Sequence, residues 1–346
     1  MSRRAFITGI TGQDGAYLAR LLLERGYAVS GGARRVSADS LWRLRELGVL
    51  GRVEIAALDL RDAASAAQAL RAARPDEIYN FAAQSSVGES FAKPGEAAAT
   101  NAEAVRHMLD AVRQFLPAAR FYQASSSEMF GSVAPAPQNE RTAFHPVSPY
   151  AAAKAEAHLQ CRRFREACGL FVCSGIAFNH ESPLRAPAYV TRKIAAGMVA
   201  LKRSEGAGPH LRLGNLDARR DWGWAEDYVR GIAAIMAHSE PDEFVLATGE
   251  AHSVREFAAA AAAAVGFAIE WSGTGLGEAG RDRKSGRLLV TVDPQYFRPA
   301  DIVESIGDSG KAQRILGWRP ETAFAGLVDR MVEAEYNRIG GPAGQG

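Results

Sequence analysis

The chain has 346 residues, with 41 Lys and Arg against 39 Asp and Glu, a formal net charge of +2. Such a balance offers no basic field for a dedicated nucleic-acid binder, and 47% hydrophobic with 23% charged residues excludes a disordered or fibrous chain. The length allows one large domain or two of ordinary size. In chain order, β-rich runs at 4–8, 27–32, 53–58, 77–80, 120–124 and 171–177 alternate with helical segments at 13–24, 63–73, 96–115 and 149–168. That alternation predicts an α/β fold, a doubly wound parallel sheet of Rossmann-like type. No apolar run before the first glycines is long enough for a signal peptide, and the longest, 257–265, is too short to span a bilayer. A cytoplasmic protein with no membrane and no nucleic-acid partner is expected.

After residue 179 the pattern loosens. Helices are expected at 189–201, 225–238 and 324–336, and strands at 211–213, 244–247 and 288–292. The alanine run 258–264 reads as a helix too, since Ser253 and Glu256 form a capping box and Gly266 supplies a stop. The chain therefore divides into a Rossmann-like cofactor domain over 1–178 and a mainly substrate-binding lobe over 179–340, with some segments returning to the first. The lobe is expected across the carboxyl edge of the sheet, where open α/β folds bind ligands. Cys161, Cys168 and Cys173 lack metal or disulfide spacing and read as buried free thiols, and the seven histidines show no HxxxH or HExxH, so no metal is expected.

Gly9, Gly12 and Gly15 follow the first strand and open the first helix, where backbone amides can face a pyrophosphate. At the end of the second strand Arg34 and Arg35 stand where an acid would favour NAD. Adjacent arginines also suit a solvated surface, but the position favours NADP. Asp59, beside Leu60 after the third strand, is placed to reach the adenine, and the run Phe81, Ala82, Ala83, Gln84, Ser85 ends the fourth strand beside the phosphates. Tyr150 and Lys154 lie four apart on a predicted helix, so the ammonium can draw the phenol, with an ordinary pKa of about 10, toward use as a base. Ser126, in the serine-rich end of the fifth strand, can hydrogen-bond the same substrate oxygen. Glu128 follows two residues later; spacing alone fits a loop acid or helix cap as well as a proton-transfer group.

Glycines, serine, tyrosine and lysine in this order resemble the short-chain dehydrogenase/reductase superfamily, in its extended branch acting on nucleotide sugars. Within it, long stretches resemble the GDP-mannose 4,6-dehydratases. The segments are Thr8-Gly9-Ile10-Thr11-Gly12-Gln13-Asp14-Gly15, Tyr122-Gln123-Ala124-Ser125-Ser126-Ser127-Glu128, Phe178-Asn179-His180-Glu181-Ser182-Pro183, Val190-Thr191-Arg192-Lys193 and Leu213 through Gly223. The resemblance implies a hydro-lyase that oxidises C4 through Tyr150, Ser126 and Lys154, expels the C6 hydroxyl with Glu128 as base at C5, and returns hydride to C6. It assigns Thr11, Gln13, Asp14, His180 and Arg185 to the cofactor. Around the GDP-sugar it places Ser85, Asn179, Lys193, Leu213, Gly214, Asn215, Arg220, Arg281, Tyr296 and Arg298, and it implies a homodimer or homotetramer. It further implies a Glu128 pKa nearer neutrality than a free glutamate's.

The family pattern around the tyrosine carries an arginine and a glycine where this chain has Val147 and Ala151, and a glycine where it has Ala186. These departures keep a related sugar such as GDP-mannoheptose open as substrate. A 4-epimerase or 4-reductase would share Tyr150 and Lys154 without needing a base at C5. A non-enzymatic NADP-sensing scaffold would have no need to keep the four site residues together.

Overall fold

The computed structural model describes residues 2–132, 136–204, 208–297 and 302–340. Its first half holds strands β1 (Arg4–Thr8), β2 (Ala28–Ala33), β3 (Glu54–Ala57), β4 (Glu77–Asn80), β5 (Arg120–Ser126) and β6 (Val172–Ala177). Between them run helices α1 (Gln13–Glu24), α2 (Trp42–Glu46), α3 (Ala63–Ala73), α4 (Val87–Ala92), α5 (Pro94–Ala98), α6 (Ala104–Phe115) and α7 (Pro149–Cys168). The strands pair in parallel in the order β3-β2-β1-β4-β5-β6, so the winding reverses between β1 and β4. A crevice opens at the carboxyl ends of the strands at such a reversal. Buried polar rungs help fix the register: Thr8 Oγ1 donates to Asn80 Oδ1 at 2.5 Å, and Asn80 Nδ2 donates to Gln123 Oε1 at 2.8 Å.

Every residue of β4 is buried, as befits a strand covered on both faces. One cover joins Phe6, Ile78 and Phe121 to Leu70 of α3, Met108 of α6 and Cys161 of α7. The helix expected over 96–115 is instead α5 and α6 joined by a π-helical turn at Ala99–Glu103. The cause is tertiary: Asn101 Oδ1 accepts from Gln84 N at 2.8 Å and its Nδ2 donates to Gln84 O at 2.9 Å, which holds the turn against the end of β4. Of the three cysteines, Cys161 and Cys173 are buried, but Cys168 is exposed, because it is the last residue of α7 before the left-handed cap Gly169.

Beyond β6 come β7 (Asn179–Glu181), α8 (Val190–Arg203), β8 (Leu211–Leu213), β9 (Arg219–Trp224), α9 (Ala225–Ala237) and β10 (Glu243–Leu246). They are followed by β11 (Ala251–Ser253), α10 (Val254–Ala264), β12 (Ile269–Ser272), β13 (Ala279–Asp282), β14 (Leu288–Val292), β15 (Glu304–Ser305), α11 (Gly310–Leu316) and α12 (Phe324–Gly340). β10 extends the central sheet to seven strands beside β6, and Tyr228, Ile232 and Ile235 of α9 pack with Leu18 and Leu22 of α1 over its second face. The remaining strands form two small sheets, β11-β9-β15 with β7 also on β9, and β12-β13-β14-β8. A separate core of Ile194, Met198, Trp222, Phe257, Leu327 and Met331 binds α8, α10 and α12 to them. The capping box of α10 is present, Ser253 N donating to Glu256 Oε2 at 2.6 Å and Glu256 N to Ser253 Oγ at 3.1 Å. Among the described residues no helix is long and apolar enough to cross a membrane.

Candidate active site

The turn from β1 into α1 is drawn tight around glycines. Gly9 adopts φ +67°, and a Cβ built on Gly15 would stand 2.4 Å from Gly9 O. Gly12 is the N-cap of α1 and has no side-chain cap, so the first-turn amides are left for another acceptor. A diphosphate fits that cradle. The side chains beside it are already engaged: Gln13 Nε2 donates to His180 O at 3.1 Å, Ser182 Oγ donates to Gln13 Oε1 at 2.8 Å, and Asp14 faces His180. Thr11 O accepts from Arg43 Nη1 at 3.1 Å.

Arg34 and Arg35 are both exposed past β2, and Arg34 Nη1 meets Glu96 Oε1 at 3.3 Å. Asp59 is gripped by Arg61, with Nη2 to Oδ2 at 2.5 Å, which holds its pKa at about 2. It is an ionised acceptor. Leu60 turns its side chain into the core with Leu58 and Leu70. Phe81, Ala83 and the exposed Ser85 follow β4 at the reversal point. Tyr189, which no sequence signal marked, donates its hydroxyl to Ser85 Oγ at 3.0 Å and lies 3.8 Å beneath the Arg185 guanidinium.

Ser148 caps α7, accepting from Ala151 N at 3.1 Å, and Pro149 starts the helix, so Tyr150 is fixed in its first turn. Lys154, one turn on, is buried and donates from Nζ to Ala124 O at 2.9 Å. Burial lowers its pKa to about 8 against the opposing charge of Asp14. The ammonium stands 5.9 Å from the centre of the Tyr150 ring. The expected drawing-down of the phenol is not met in the protein by itself: burial pushes Tyr150 well above its ordinary value, while a Ser126 hydrogen bond and the Arg185 charge work against that. The turn Ser127–Phe130 carries half-buried Glu128 directly after β5, and its negative charge also reaches Tyr150. Ser126, Glu128, Tyr150 and Lys154 thus come together at the carboxyl end of β5.

The expected sugar-nucleotide residues divide. Lys193 Nζ donates to Arg212 O at 2.6 Å and sits 3.4 Å over the Tyr296 ring, and a Cβ on Gly214 would strike Tyr296 O at 2.5 Å. Lys193, Gly214 and Tyr296 therefore form one group, whereas Leu213 turns its side chain into the second core with Ile194 and Trp222. Asn179 pairs with Trp222, joining β7 to β9. Asn215 Oδ1 accepts from Asp217 N at 3.0 Å, and exposed Arg281 donates to Gly286 O at 3.1 Å. Arg220 is turned inward, 6% exposed, donating to Ile302 O at 2.6 Å. Arg298 lies outside the described residues. Ala151 is fully buried in α7, whereas Val147 is 38% exposed and Ala186 half-buried. Among the described residues no group of three or more His, Cys, Asp or Glu could hold a metal.

The family model described as GDP-mannose 4,6 dehydratase matches residues 6–331. A GDP-mannose 4,6-dehydratase of Sinorhizobium fredii (strain HH103) is 44% identical over 344 residues, covering 97% of each chain. The Homo sapiens enzyme of that name is 43% identical over 339 residues, 96% of this chain and 91% of its own. Among solved structures, a dTDP-glucose 4,6-dehydratase from Streptomyces venezuelae with NAD bound superposes with a TM-score of 0.79 at 26% identity, over 97% of each chain. A UDP-glucose 4-epimerase of Thermotoga maritima, at 22% identity and a TM-score of 0.81 over 97% of this chain and 99% of its own, shares the fold.

Proposed function

The chain belongs to the GDP-mannose 4,6-dehydratase family, a family of nucleotide-sugar hydro-lyases, and from that premise we propose that it converts GDP-mannose to GDP-4-keto-6-deoxymannose with NADP as cofactor. The observation that carries the assignment of roles is the carboxylate of Glu128, on the turn that Ser126 caps and within electrostatic reach of Tyr150. A 4-epimerase would not use an acid there, and full-length likeness to the dehydratases does not favour that alternative.

In this reading Gly9, Gly12 and Gly15 hold the cofactor diphosphate, and Arg34 and Arg35 face the 2′-phosphate that distinguishes NADP. When bound there, the nicotinamide would supply the hydride acceptor for C4 oxidation and the donor for C6 reduction, with no net consumption of cofactor. Tyr150 Oη takes the proton of the C4 hydroxyl while Ser126 Oγ orients the same oxygen. Lys154, anchored on Ala124 O, adds the charge that favours phenolate. The 4-ketone acidifies C5–H. A Glu128 carboxylate oxygen removes that proton and passes it to the departing C6 oxygen, which leaves as water. A proton then returned to C5 equals in number the one Tyr150 took, so the sum is loss of one water. Such two-way transfer is served by a Glu128 pKa lifted toward neutrality beneath bound sugar. Lys193 and Tyr296 border the sugar nucleotide, and a homodimer or homotetramer completes the proposal.

The test incubates purified protein with NADP+ or NAD+ and a panel of GDP-sugars that includes GDP-mannose and GDP-mannoheptose, following mass. Loss of one water from GDP-mannose with NADP+ and no net cofactor reduction is expected. Stoichiometric reduction or oxidation of cofactor, or no change in any GDP-sugar, would refute it.

A further inference from the structure

Tyr150, Lys154 and His158 recur at four-residue intervals on α7 and meet consecutive residues of β5. Ser126 lies close enough to the Tyr150 hydroxyl to oppose its raised pKa, Lys154 Nζ donates to Ala124 O at 2.9 Å, and His158 Nδ1 lies 2.9 Å from Ser125 Oγ. His158 is fully buried and Ser125 is 6% exposed. Behind the ring, His158 Nε2 stands 3.0 Å from Glu243 Oε2 on β10, and Arg162 Nη2 reaches the other oxygen of that carboxylate at 2.5 Å. Burial would raise the Glu243 pKa, but His158 and Arg162 bring it down to about 2, so the anchor is ionised. The ring also meets Phe144 edge-on at 5.2 Å, and Phe144 lies 5.6 Å from Phe130, the last residue of the turn that carries Glu128. His158 thus touches the strand end that leads into the Glu128 turn directly, and the far end of that turn through one aromatic ring.

We propose that His158, braced by Glu243, is a positioning residue for the dehydration, holding Ser125 and Phe130 so that Ser126 and Glu128 keep their places against Tyr150. The order Ser125, His158, Glu243 has the outline of a nucleophile triad, but a serine so deeply buried meets no acyl substrate. The Ser125 hydroxyl can donate to an unprotonated Nδ1 or accept from a protonated one, so the contact does not depend on the charge of the ring. A displacement of about 1 Å at reacting groups can cost about a hundredfold in rate, which makes a distant brace measurable.

The proposal rests on the roles assigned above to Ser126, Glu128 and Tyr150, so Tyr150→Phe is the control: if it keeps full activity, those roles fall and His158 is not what failed. With that control inactive, His158→Phe should lower kcat by about tenfold to a hundredfold. KM for GDP-mannose and Kd for NADP+ should stay within about twofold. His158→Asn, whose amide can stand at the Nδ1 position facing Ser125, should recover most of kcat. His158→Gln, which reaches toward Glu243 instead, should not. Ser125→Ala should move kcat in the same direction, and the double variant should be no slower than His158→Phe alone. If His158→Phe does not fold, Ser125→Ala and the Asn and Gln pair decide. Variants that lower only Tm and leave kcat within about twofold, or rescue by Gln and not Asn, overturn the inference.

Discussion

His180 and Asp14 stand 3.0 Å apart, Nε2 to Oδ2, and tie the strand that leaves the central sheet to the first turn of the helix behind the glycine loop. The other ring nitrogen, Nδ1, lies 2.7 Å from Phe178 O. A carbonyl and a carboxylate can only accept, so both contacts are satisfied together by the imidazolium, the form that Asp14 favours by raising the His180 pKa. It stacks on Tyr228, with centroids 4.6 Å apart. The pair neutralises an acid that would otherwise oppose a diphosphate at the same helix end.

This ion pair makes stability depend on pH. Burial favours neutral Asp14, but the His180 charge and hydrogen bond outweigh it and lower its pKa from 3.8 to about 2. Its contribution is present above 3.8 and is lost as pH falls toward 2. Burial likewise opposes protonated His180, yet Asp14 raises its pKa above 6.5; that contribution is full below 6.5 and fades as pH rises through the elevated value. His180→Asn should therefore cost about 1 to 3 kcal/mol near pH 5 to 6 and less near pH 9. Thermal unfolding followed by circular dichroism across that range checks it, and a Tm difference independent of pH would count against the pair.

Glu128→Gln separates oxidation from elimination. The carboxamide keeps the shape but accepts no proton at C5, so elimination should slow by about 10²- to 10⁴-fold. C4 oxidation can still proceed, and reduced cofactor should accumulate on the protein when GDP-mannose is added. Absorbance reports the first step and mass spectrometry the second. Undiminished loss of water would remove Glu128 from the chemistry.

Much of the fold that carries this site is legible in the chain itself. Strands Arg4–Thr8 and Glu77–Asn80 and helices Gln13–Glu24, Ala63–Ala73 and Pro149–Cys168 have the bounds that local pattern and capping residues predict, because their apolar periodicity and their stop residues agree. β9 went unseen. Its opening Arg219-Arg220-Asp221 is charged, and it is a buried strand only because Asp221 accepts from Thr248 N at 2.9 Å, Gly249 N at 2.9 Å and Gly307 N at 3.3 Å, partners far along the chain. Tyr189, Asn101 and His158 were missed for the same reason. Each acts through a residue brought near by the fold, and none sits in a local motif.

Lys154 sets a limit on the alkaline side. With its pKa brought down to about 8 by burial, the free enzyme loses the ammonium as pH rises through that value. The kcat/KM profile should fall there, since such profiles report the ionisations of the free enzyme. Lys154→Met should be slower at neutral pH by roughly 10²- to 10⁴-fold and should lack that fall. A variant that retains the same alkaline limb would assign it to another group.

Arg34→Ala tests the choice of dinucleotide. The exposed guanidinium is held toward Glu96 at 3.3 Å, a contact that screened surface pairs make only weakly, so it is free to turn to a stronger anion. A charge-assisted hydrogen bond contributes about 1.5 to 3 kcal/mol, so Kd for NADP+ should rise by about tenfold to a hundredfold while Kd for NAD+ stays unchanged. Titration calorimetry with both dinucleotides reads the ratio directly. Equal weakening of both would mean that Arg34 supports the loop and does not read the phosphate.

Tyr189→Phe removes one hydroxyl and little else. The ring would still lie beneath Arg185, 3.8 Å from the guanidinium carbon, so the cation–π contact remains. What is lost are the bonds to Ser85, at 3.0 Å to Oγ and 3.2 Å to the carbonyl, which tie the entry of α8 to the loop after β4. A net hydrogen bond is worth about 0.5 to 1.5 kcal/mol, so KM for GDP-mannose should rise by about twofold to tenfold with Tm nearly constant. Tyr189→Ala should go further, weakening NADP+ binding as well, because Arg185 then loses the surface on which it rests. Steady-state kinetics with calorimetry distinguishes the two effects. If Phe and Tyr give the same KM, the link between α8 and Ser85 is a feature of packing alone.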